Sequence, residues 1–478
     1  MIFSMPLTPL DQVILWFRDV SLLFMVFYVL SHSVLFIASA IMVLHYYYTG
    51  QHRQLLPLEG TDFPKISILV PAYNEGIVIL DSLSELLQID YPNFDIVVVN
   101  DGSSDDTLER LKEHFELHTV GYHLAAELSH KPIRGVYRSQ KEPRICVIDK
   151  VNGRKADALN AALAVIDSPY FVCIDADSYV HPVTLRKAIV PFLTRPHVVA
   201  VGCGLRVMEG ATRFADGTLV GSVPNRLIYA LQTLEYIRVF VLARMGWDLI
   251  NATPLISGAF AMYNTSVVIL AGGYRPSAIG DDSDLTLNVH EYLTNQKQKY
   301  QMVYLPEPLC WTQIPGDWHS LFNQRIRWQR GSMNGIYHRF KFLMSGKHPG
   351  LTFGSIPFIA IFTHFSCILQ FLGIFILLYS VLRGIFDIHV YFSGLLLMLC
   401  YWLFVTLLSL LVDEVTYKTY RSPFTALQFF FYSIIWPFVY SPFITAAKFI
   451  GFYREATRMQ ASHGAMKRHN MRQVTHLG

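Results

Sequence analysis

The sequence predicts an α/β domain of parallel strands and covering helices, inserted between membrane-spanning segments. Three observations carry this. Short β-branched runs alternate with helical patterns in the middle of the chain, charge concentrates between about residues 50 and 350, and long apolar stretches flank that region. A composition of 52% hydrophobic, 14% aromatic and only 16% charged residues sits at the membrane-associated end of the range. The 478 residues exceed one ordinary domain. A net charge of +3, without a basic stripe interleaved with aromatics, argues against a nucleic-acid partner. Six scattered cysteines with no C-x-x-C pair read as buried free thiols in a reducing compartment, not as a zinc site or disulfide framework.

Residues 20–46 are almost continuously apolar, long enough for the roughly 20 residues that span a bilayer. The run is too long for a signal peptide and no basic n-region precedes it. Residues 10–17 add either an interfacial helix or part of a second span. Arg53 and Lys65 follow the span and only Arg18 precedes it, a bias that favours a cytoplasmic middle domain. The expected organisation is a membrane segment over 1–50, a soluble domain over 51–345, a membrane region of two or three spans over 346–452, and a basic tail over 453–478.

Within the soluble domain, 66–70, 95–99, 145–148 and 170–174 read as strands, with helices between them such as 77–87 and 155–166. Ligands bind such sheets at the carboxyl ends of the strands. The histidine-containing stretch 114–144 reads as a flexible insertion, since its histidines lack regular ligand spacing. Apolar stretches return at 353–381, 390–412 and 426–450, and Lys418 and Arg421 suit a cytoplasmic loop between the last two. A third crossing there would carry Lys448, Arg454, Arg458, Lys467, Arg468 and Arg472 outside. Pro437 and Pro442 interrupt the stretch, so a re-entrant or interfacial hairpin is the alternative.

Polar clusters fall where the strands end. Pro71-Ala72-Tyr73-Asn74-Glu75 closes the first strand and Asp101-Gly102-Ser103-Ser104 the second. Ser103 is placed to cap the next helix, with Asp105 and Asp106 in its first turn; a strand-end carboxylate can also accept a hydrogen bond from a uracil N–H. Asp175 and Asp177 follow an apolar run, and alternation along an extended backbone puts both carboxylates on one side. A Mg2+ or Mn2+ shared with phosphates would relieve their repulsion. Asp282-Ser283-Asp284 has the same D-x-D pattern, but strand-end position favours the first pair. Gly280-Asp281-Asp282 precedes a helix expected from about residue 285, so helix capping is one reading. The other is a general base for an acceptor hydroxyl, worth about 10²–10⁴ in rate. Gln324-Arg325-Ile326-Arg327-Trp328 reads as helical, with Gln324, Arg327, Trp328 and Gly331 on one face. Arginine forks suit a diphosphate and tryptophan suits a sugar; a basic helix lying on the membrane is the alternative.

Taken in order, these clusters resemble those of the membrane-embedded family 2 glycosyltransferases: cellulose, hyaluronan, chitin-oligosaccharide and poly-N-acetylglucosamine synthases. Lys150-Val151-Asn152-Gly153-Arg154-Lys155-Ala156-Asp157-Ala158-Leu159-Asn160, Ser257-Gly258-Ala259 and Cys310-Trp311-Thr312 match as well. The resemblance covers about residues 65–331 and, less specifically, the flanking spans. It implies a Rossmann-like GT-A glycosyltransferase domain between N- and C-terminal transmembrane helices. Ala72, Tyr73, Glu75 and Asp101 would hold the nucleoside, Lys155 would lie near the diphosphate, Asp175 would contact the nucleotide, and Asp177 would ligate Mg2+ or Mn2+. Asp282 would be the base; Ser257, Gly258 and Ala259 would line the acceptor pocket, and Asp281 would belong to the pyrophosphate and acceptor site. Gln324, Arg327 and Trp328 would shape the pyrophosphate and acceptor site.

Two departures stand out. Arg154 occupies a position where many members have a second glycine, and Gly280-Asp281-Asp282 looks like the hyaluronan and chitin-oligosaccharide branch while Ser283-Asp284-Leu285 looks like the cellulose and poly-N-acetylglucosamine branch. The implied activity is inverting β-transfer from a UDP-sugar, UDP-N-acetylglucosamine or UDP-glucose, to a glycan or lipid-linked acceptor at the cell membrane. Polysaccharide elongation is expected, because the Gln-x-x-Arg-Trp helix leads directly into the spans; export or regulatory proteins are the expected partners. Single-sugar transfer to a lipid or short glycan is one alternative. An inactive transport or binding subunit is the other, and the presence of Asp177 and Asp282 opposes it.

Overall fold

The computed structural model describes residues 7–55, 62–214, 217–420 and 422–459. In chain order its strands are β1 (Ile66–Ala72), β2 (Phe94–Asn100), β3 (Leu117–Val120), β4 (Ile133–Ser139), β5 (Ile145–Lys150), β6 (Tyr170–Cys173), β7 (Ser178–Val180) and β8 (Val198–Val207), followed by β9 (Thr212–Arg213), β10 (Leu219–Val220), β11 (Ala261–Asn264) and β12 (Gln301–Thr312). A ten-stranded sheet has the order β3-β4-β5-β2-β1-β6-β11-β8-β12-β7. The four expected strands are neighbours and parallel, β5-β2-β1-β6. Residues of β1 and β5 are buried at almost every position, because helices cover both faces and an unbroken apolar run is what such a strand requires. Helix Lys155–Val165 packs there through a series of buried alanines.

The sheet as a whole is mixed, not parallel. β11 enters antiparallel between β6 and β8, and β7 pairs antiparallel with β12. The stretch 114–144 is no flexible insertion: β3 and β4 form an antiparallel extension on the β5 edge. The half-buried pattern of β4, next to the edge strand β3, leaves no long apolar run to announce it.

Among the described residues, four helices are long and apolar enough to cross a membrane. Pro9–Tyr48 is one continuous helix that includes residues 10–17. At its far end Asp11 accepts from Tyr379 Oη at 2.9 Å and pairs with Arg383 at 2.9 Å, which ties it to the end of helix Gly350–Leu382. Its other end reaches the α/β domain, where Tyr46 donates to Glu307 at 2.9 Å. Helix Ile388–Thr416 returns to the domain through a buried Asp413–Arg206 ion pair of 2.9 Å. The last stretch is a single helix, Pro423–Ala456, with Pro437 and Pro442 inside it, not a hairpin. Lys467, Arg468 and Arg472 lie outside the described residues.

Candidate active site

Ala72 and Asn100 are register partners, so the loops after β1 and β2 start side by side. Hydrogen bonds stitch them together. Ser103 Oγ accepts from the Asn74 N–H at 3.0 Å, Asn74 Oδ1 from the Ser104 N–H at 2.8 Å, and Thr107 Oγ1 from the Glu75 N–H at 2.9 Å. Ser103 therefore ties loops instead of capping the next helix, which begins at Thr107. Ala72 and Glu75 are buried, whereas Tyr73 is 49% exposed at the rim.

Asp101 is buried with both oxygens engaged. Lys150 Nζ donates to it at 2.7 Å, the Gly153 N–H at 2.9 Å and the Arg154 N–H at 2.7 Å. It thereby holds the loop that opens helix Lys155–Val165. Arg154 adopts φ 77° and ψ 171°, a region close to glycine-only, which costs of order 1–3 kcal/mol. The departure from glycine is therefore strained.

Lys155 reaches Asp175 Oδ1 at 2.5 Å and Asp281 Oδ2 at 3.7 Å. Burial opposes its charge, but the Asp175 and Asp281 carboxylates outweigh it and hold its pKa well above the usual lysine range. Asp282 Oδ1 accepts from the Ser283 N–H at 2.8 Å and Oδ2 from the Gly258 N–H at 3.3 Å. Burial, then the charge of Asp281, push the Asp282 carboxyl above the usual aspartate range against the pull of Lys155. A Cβ on Gly258 would meet Lys155 Nζ at 3.0 Å and Asp282 Cβ at 3.6 Å. Ser257, half-buried, and Ala259, buried, flank that close approach.

Asp175 and Asp177 are not aligned by strand alternation. The Ser178 N–H donates to the Asp175 carbonyl at 3.0 Å, so the chain turns here, leaving Asp175 half-buried and Asp177 buried. Burial and then the charges of both push the Cys310 thiol up. The other D-x-D carboxylate, Asp284, is buried between Arg275 at 2.7 Å and Arg339 at 2.6 Å. Its helix starts at Asp281, earlier than the expected residue 285.

The fourth cluster lies on helix Trp318–His338, capped by Asp317, which accepts from the Ser320 N–H at 2.8 Å. This helix meets the third cluster backbone to backbone: a Cβ on Gly331 would lie 2.8 Å from Gly280 Cα. Arg327 and Trp328 are exposed, and Gln324 is half-buried with Oε1 accepting from Arg325 Nη1 at 2.9 Å. Arg325, to which the sequence assigned no role, is buried against Glu235 at 2.6 Å, Tyr440 Oη at 3.1 Å and the Trp328 ring at 4.0 Å. Glu209 was also missed. Its Oε1 accepts from the Ile314 N–H at 3.1 Å, while Oε2 is buried without a hydrogen-bond partner. Burial and then the Asp177 charge push this carboxyl up to about 7. Nothing in Met208-Glu209-Gly210 marks it, because its setting depends on β8 lying beside β12.

Among the described residues, no three His, Cys, Asp or Glu side chains form a ready metal cage. The donor chemistry nevertheless fits a hard divalent cation. Asp175, Asp281 and Asp282 share the single Lys155 charge, an excess of carboxylate oxygens of the kind Mg2+ or Mn2+ takes.

The mixed sheet with carboxylates at its strand ends is covered by two glycosyltransferase family models, which make it a GT-A glycosyltransferase domain. The family model for Glycosyl transferase family 2 matches residues 67–268, and that for Glycosyl transferase family group 2 matches residues 170–412, more than half of the chain. The chain therefore belongs to the family 2 glycosyltransferases. It is 26% identical to poly-beta-1,6-N-acetyl-D-glucosamine synthase of Staphylococcus epidermidis over 322 residues, 66% of each chain. The enzyme of the same name from Staphylococcus aureus (strain COL) is 26% identical over 329 residues, 68% of each chain. The match thus spans 66% of the length of the first of these relatives. Among solved structures, the mannosyltransferase PcManGT from Pyrobaculum calidifontis in complex with GDP-Man and Mn2+ is 18% identical, with TM-score 0.46 over 90% of this chain and 100% of that one. TarS 1-349 of S. aureus in complex with UDP-GlcNAc is 17% identical, with TM-score 0.34 over 57% and 66%.

Proposed function

We propose that the chain is an inverting, metal-dependent β-glycosyltransferase that elongates an extracellular polysaccharide from UDP-N-acetylglucosamine, with UDP-glucose as the second donor to test. One observation carries the chemistry: Asp282, with its raised pKa, lies beside the Gly258 N–H and next to the Lys155–Asp281 pair, on the helix that Gly331 touches. The 26% identical poly-beta-1,6-N-acetyl-D-glucosamine synthases favour that donor and polymerisation.

Tyr73 at the rim and the loops anchored by Asp101 receive the nucleoside, with Ala72 and Glu75 beneath. Lys155 gives up Asp175 to meet the diphosphate, while Arg327 and Trp328 approach from the opposite helix and Gln324 supports them. Asp177, with Asp175, would hold the Mg2+ or Mn2+, which supplies positive charge to the departing diphosphate. Asp282 takes the acceptor hydroxyl proton as that oxygen attacks the anomeric carbon and the bond to the diphosphate breaks. One displacement inverts the anomeric configuration. The domain faces the cytoplasm of a multi-pass cell-membrane protein, on the side where Arg53 and Lys65 follow the first span.

Reconstituted full-length protein, given Mg2+ or Mn2+ and a panel of UDP-sugars, is expected to release UDP fastest from UDP-N-acetylglucosamine. Product should lengthen with time, and a chelator should stop the reaction. Folded protein that releases UDP from no donor refutes the reading; product fixed at one added sugar replaces elongation with single transfer.

A further inference from the structure

We infer that helix Pro423–Ala456 does not cross the bilayer, despite its length and apolarity, but lies in the membrane surface as a platform beneath the glycosyltransferase domain. Among the described residues the chain then crosses three times, and the end of this helix, with Arg454 and Arg458, lies on the same side as that domain.

Contacts along the helix carry the argument. Trp436 Nε1 donates to the Leu231 carbonyl at 3.3 Å, Tyr440 Oη to Glu235 at 2.6 Å, and Glu455 accepts from Arg330 Nε and Asn334 Nδ2, each at 3.0 Å. A Cβ on Gly451 would meet the Gln329 side chain at 2.9 Å. From Trp436 to Glu455 the helix advances about 28 Å at 1.5 Å per residue, nearly the ~30 Å of a bilayer core. A crossing helix would have left the domain by that distance, yet this one touches it at both ends of the interval. Its partner helix, Trp318–His338, carries Arg325, Arg327 and Arg330 and is too polar to follow it through lipid.

The other three helices behave differently. Pro9–Tyr48 and Gly350–Leu382 meet far from the domain at Asp11–Arg383, and each has its opposite end at the domain: Tyr46 bonds Glu307, and Gly350 abuts the Ile250 carbonyl. Ile388–Thr416 comes back to Arg206. After that return the described residues do not leave the domain again.

Sidedness of the helix surface agrees. Phe424, Leu427, Phe431, Ile435 and Phe438 are exposed, and Phe429, Trp436, Tyr440, Ile444 and Ala447 are buried. At 3.6 residues per turn these sets point in opposite directions. The exposed set is wholly apolar, like the large hydrophobic side chains exposed on the spans, and lipid is its occupant. Tyr440 of the buried set holds Arg325 and Glu235, so the helix whose outer face rests on lipid fixes, through its inner face, the helix bearing Arg327 and Trp328.

The test uses full-length protein in liposomes with Cys400 replaced, the other five cysteines being buried. Spin labels on single cysteines at Phe424, Phe431 and Phe438 should report one common shallow depth. Labels at Phe392, near the end of a crossing helix, and Phe404, near its middle, should differ strongly in depth and calibrate the measurement. A steady depth change approaching about 20 Å from 424 to 438 overturns the proposal. Independently, Met459→Cys should react with a membrane-impermeant maleimide from the same side as Glu113→Cys in the domain. Reaction from the opposite side overturns it as well.

Discussion

Asp282 is held between two opposing influences: burial and the Asp281 charge raise its pKa, while Lys155 and two backbone N–H donors lower it. A base must be ionised to act, so activity should fall as pH drops through this raised value, at higher pH than an ordinary aspartate would give. Replacing Asp281 by Asn removes the repulsion and should shift the acid limb of kcat/KM to lower pH, though burial keeps it above the unperturbed position. Asp282→Asn should cost about 10²–10⁴ in rate while leaving UDP binding in place. An unchanged rate would remove Asp282 from the role. Unlike Asp282, the D-x-D pair illustrates what residue types alone conceal. Strand alternation placed its carboxylates together, whereas the chain turns at Asp175–Ser178 and buries only Asp177.

Between elements, the decisive contact is the crossing of helix Trp318–His338 over the start of helix Asp281–Asn295. Gly331 meets Gly280 with no space for a side chain, and the obstructing atoms are backbone, which cannot rotate aside. Gly331→Ala should therefore separate the Arg327–Trp328 face from Asp282. Overpacking of this kind costs about 1–3 kcal/mol; we expect a lower thermal midpoint and a fall in kcat larger than any change in nucleotide affinity. Normal kcat in Gly331→Ala would show that the crossing does not set the site. The sequence disclosed elements unevenly for physical reasons. β1, β2, β5 and β6 are covered on both faces and read as continuous β-branched runs. β12 is broken by Pro306 and Pro308 and by a register shift between Leu305 and Cys310, and Gly204 of β8 lets it approach that irregular backbone. Strands shaped by their neighbours leave little periodicity, so Glu209, which depends on that pairing, was invisible too.

Across the whole molecule, one buried ion pair joins the membrane region to the sheet. Arg206 of β8 is fully buried and meets Asp413, 2% exposed, near the domain end of helix Ile388–Thr416. Thr419 completes the cluster, donating its N–H to Asp413 at 3.0 Å and its hydroxyl at 2.8 Å. Such a pair gives little net stability over apolar residues of similar volume, because both charges lose their hydration. Removing one partner is different. Arg206→Met would leave Asp413 as an uncompensated buried charge, a loss of about 3–5 kcal/mol, while Arg206→Met combined with Asp413→Leu should recover most of it. The cycle can be read as thermal unfolding of the intact protein in detergent. If the pair docks the span onto the sheet, as its position implies, the single variant should also expose Cys203 to thiol reagents, since that cysteine lies buried on β8 three residues before Arg206. Equal stability of the single and double variants, with Cys203 protected in both, would mean that apolar packing alone holds the membrane region to the domain.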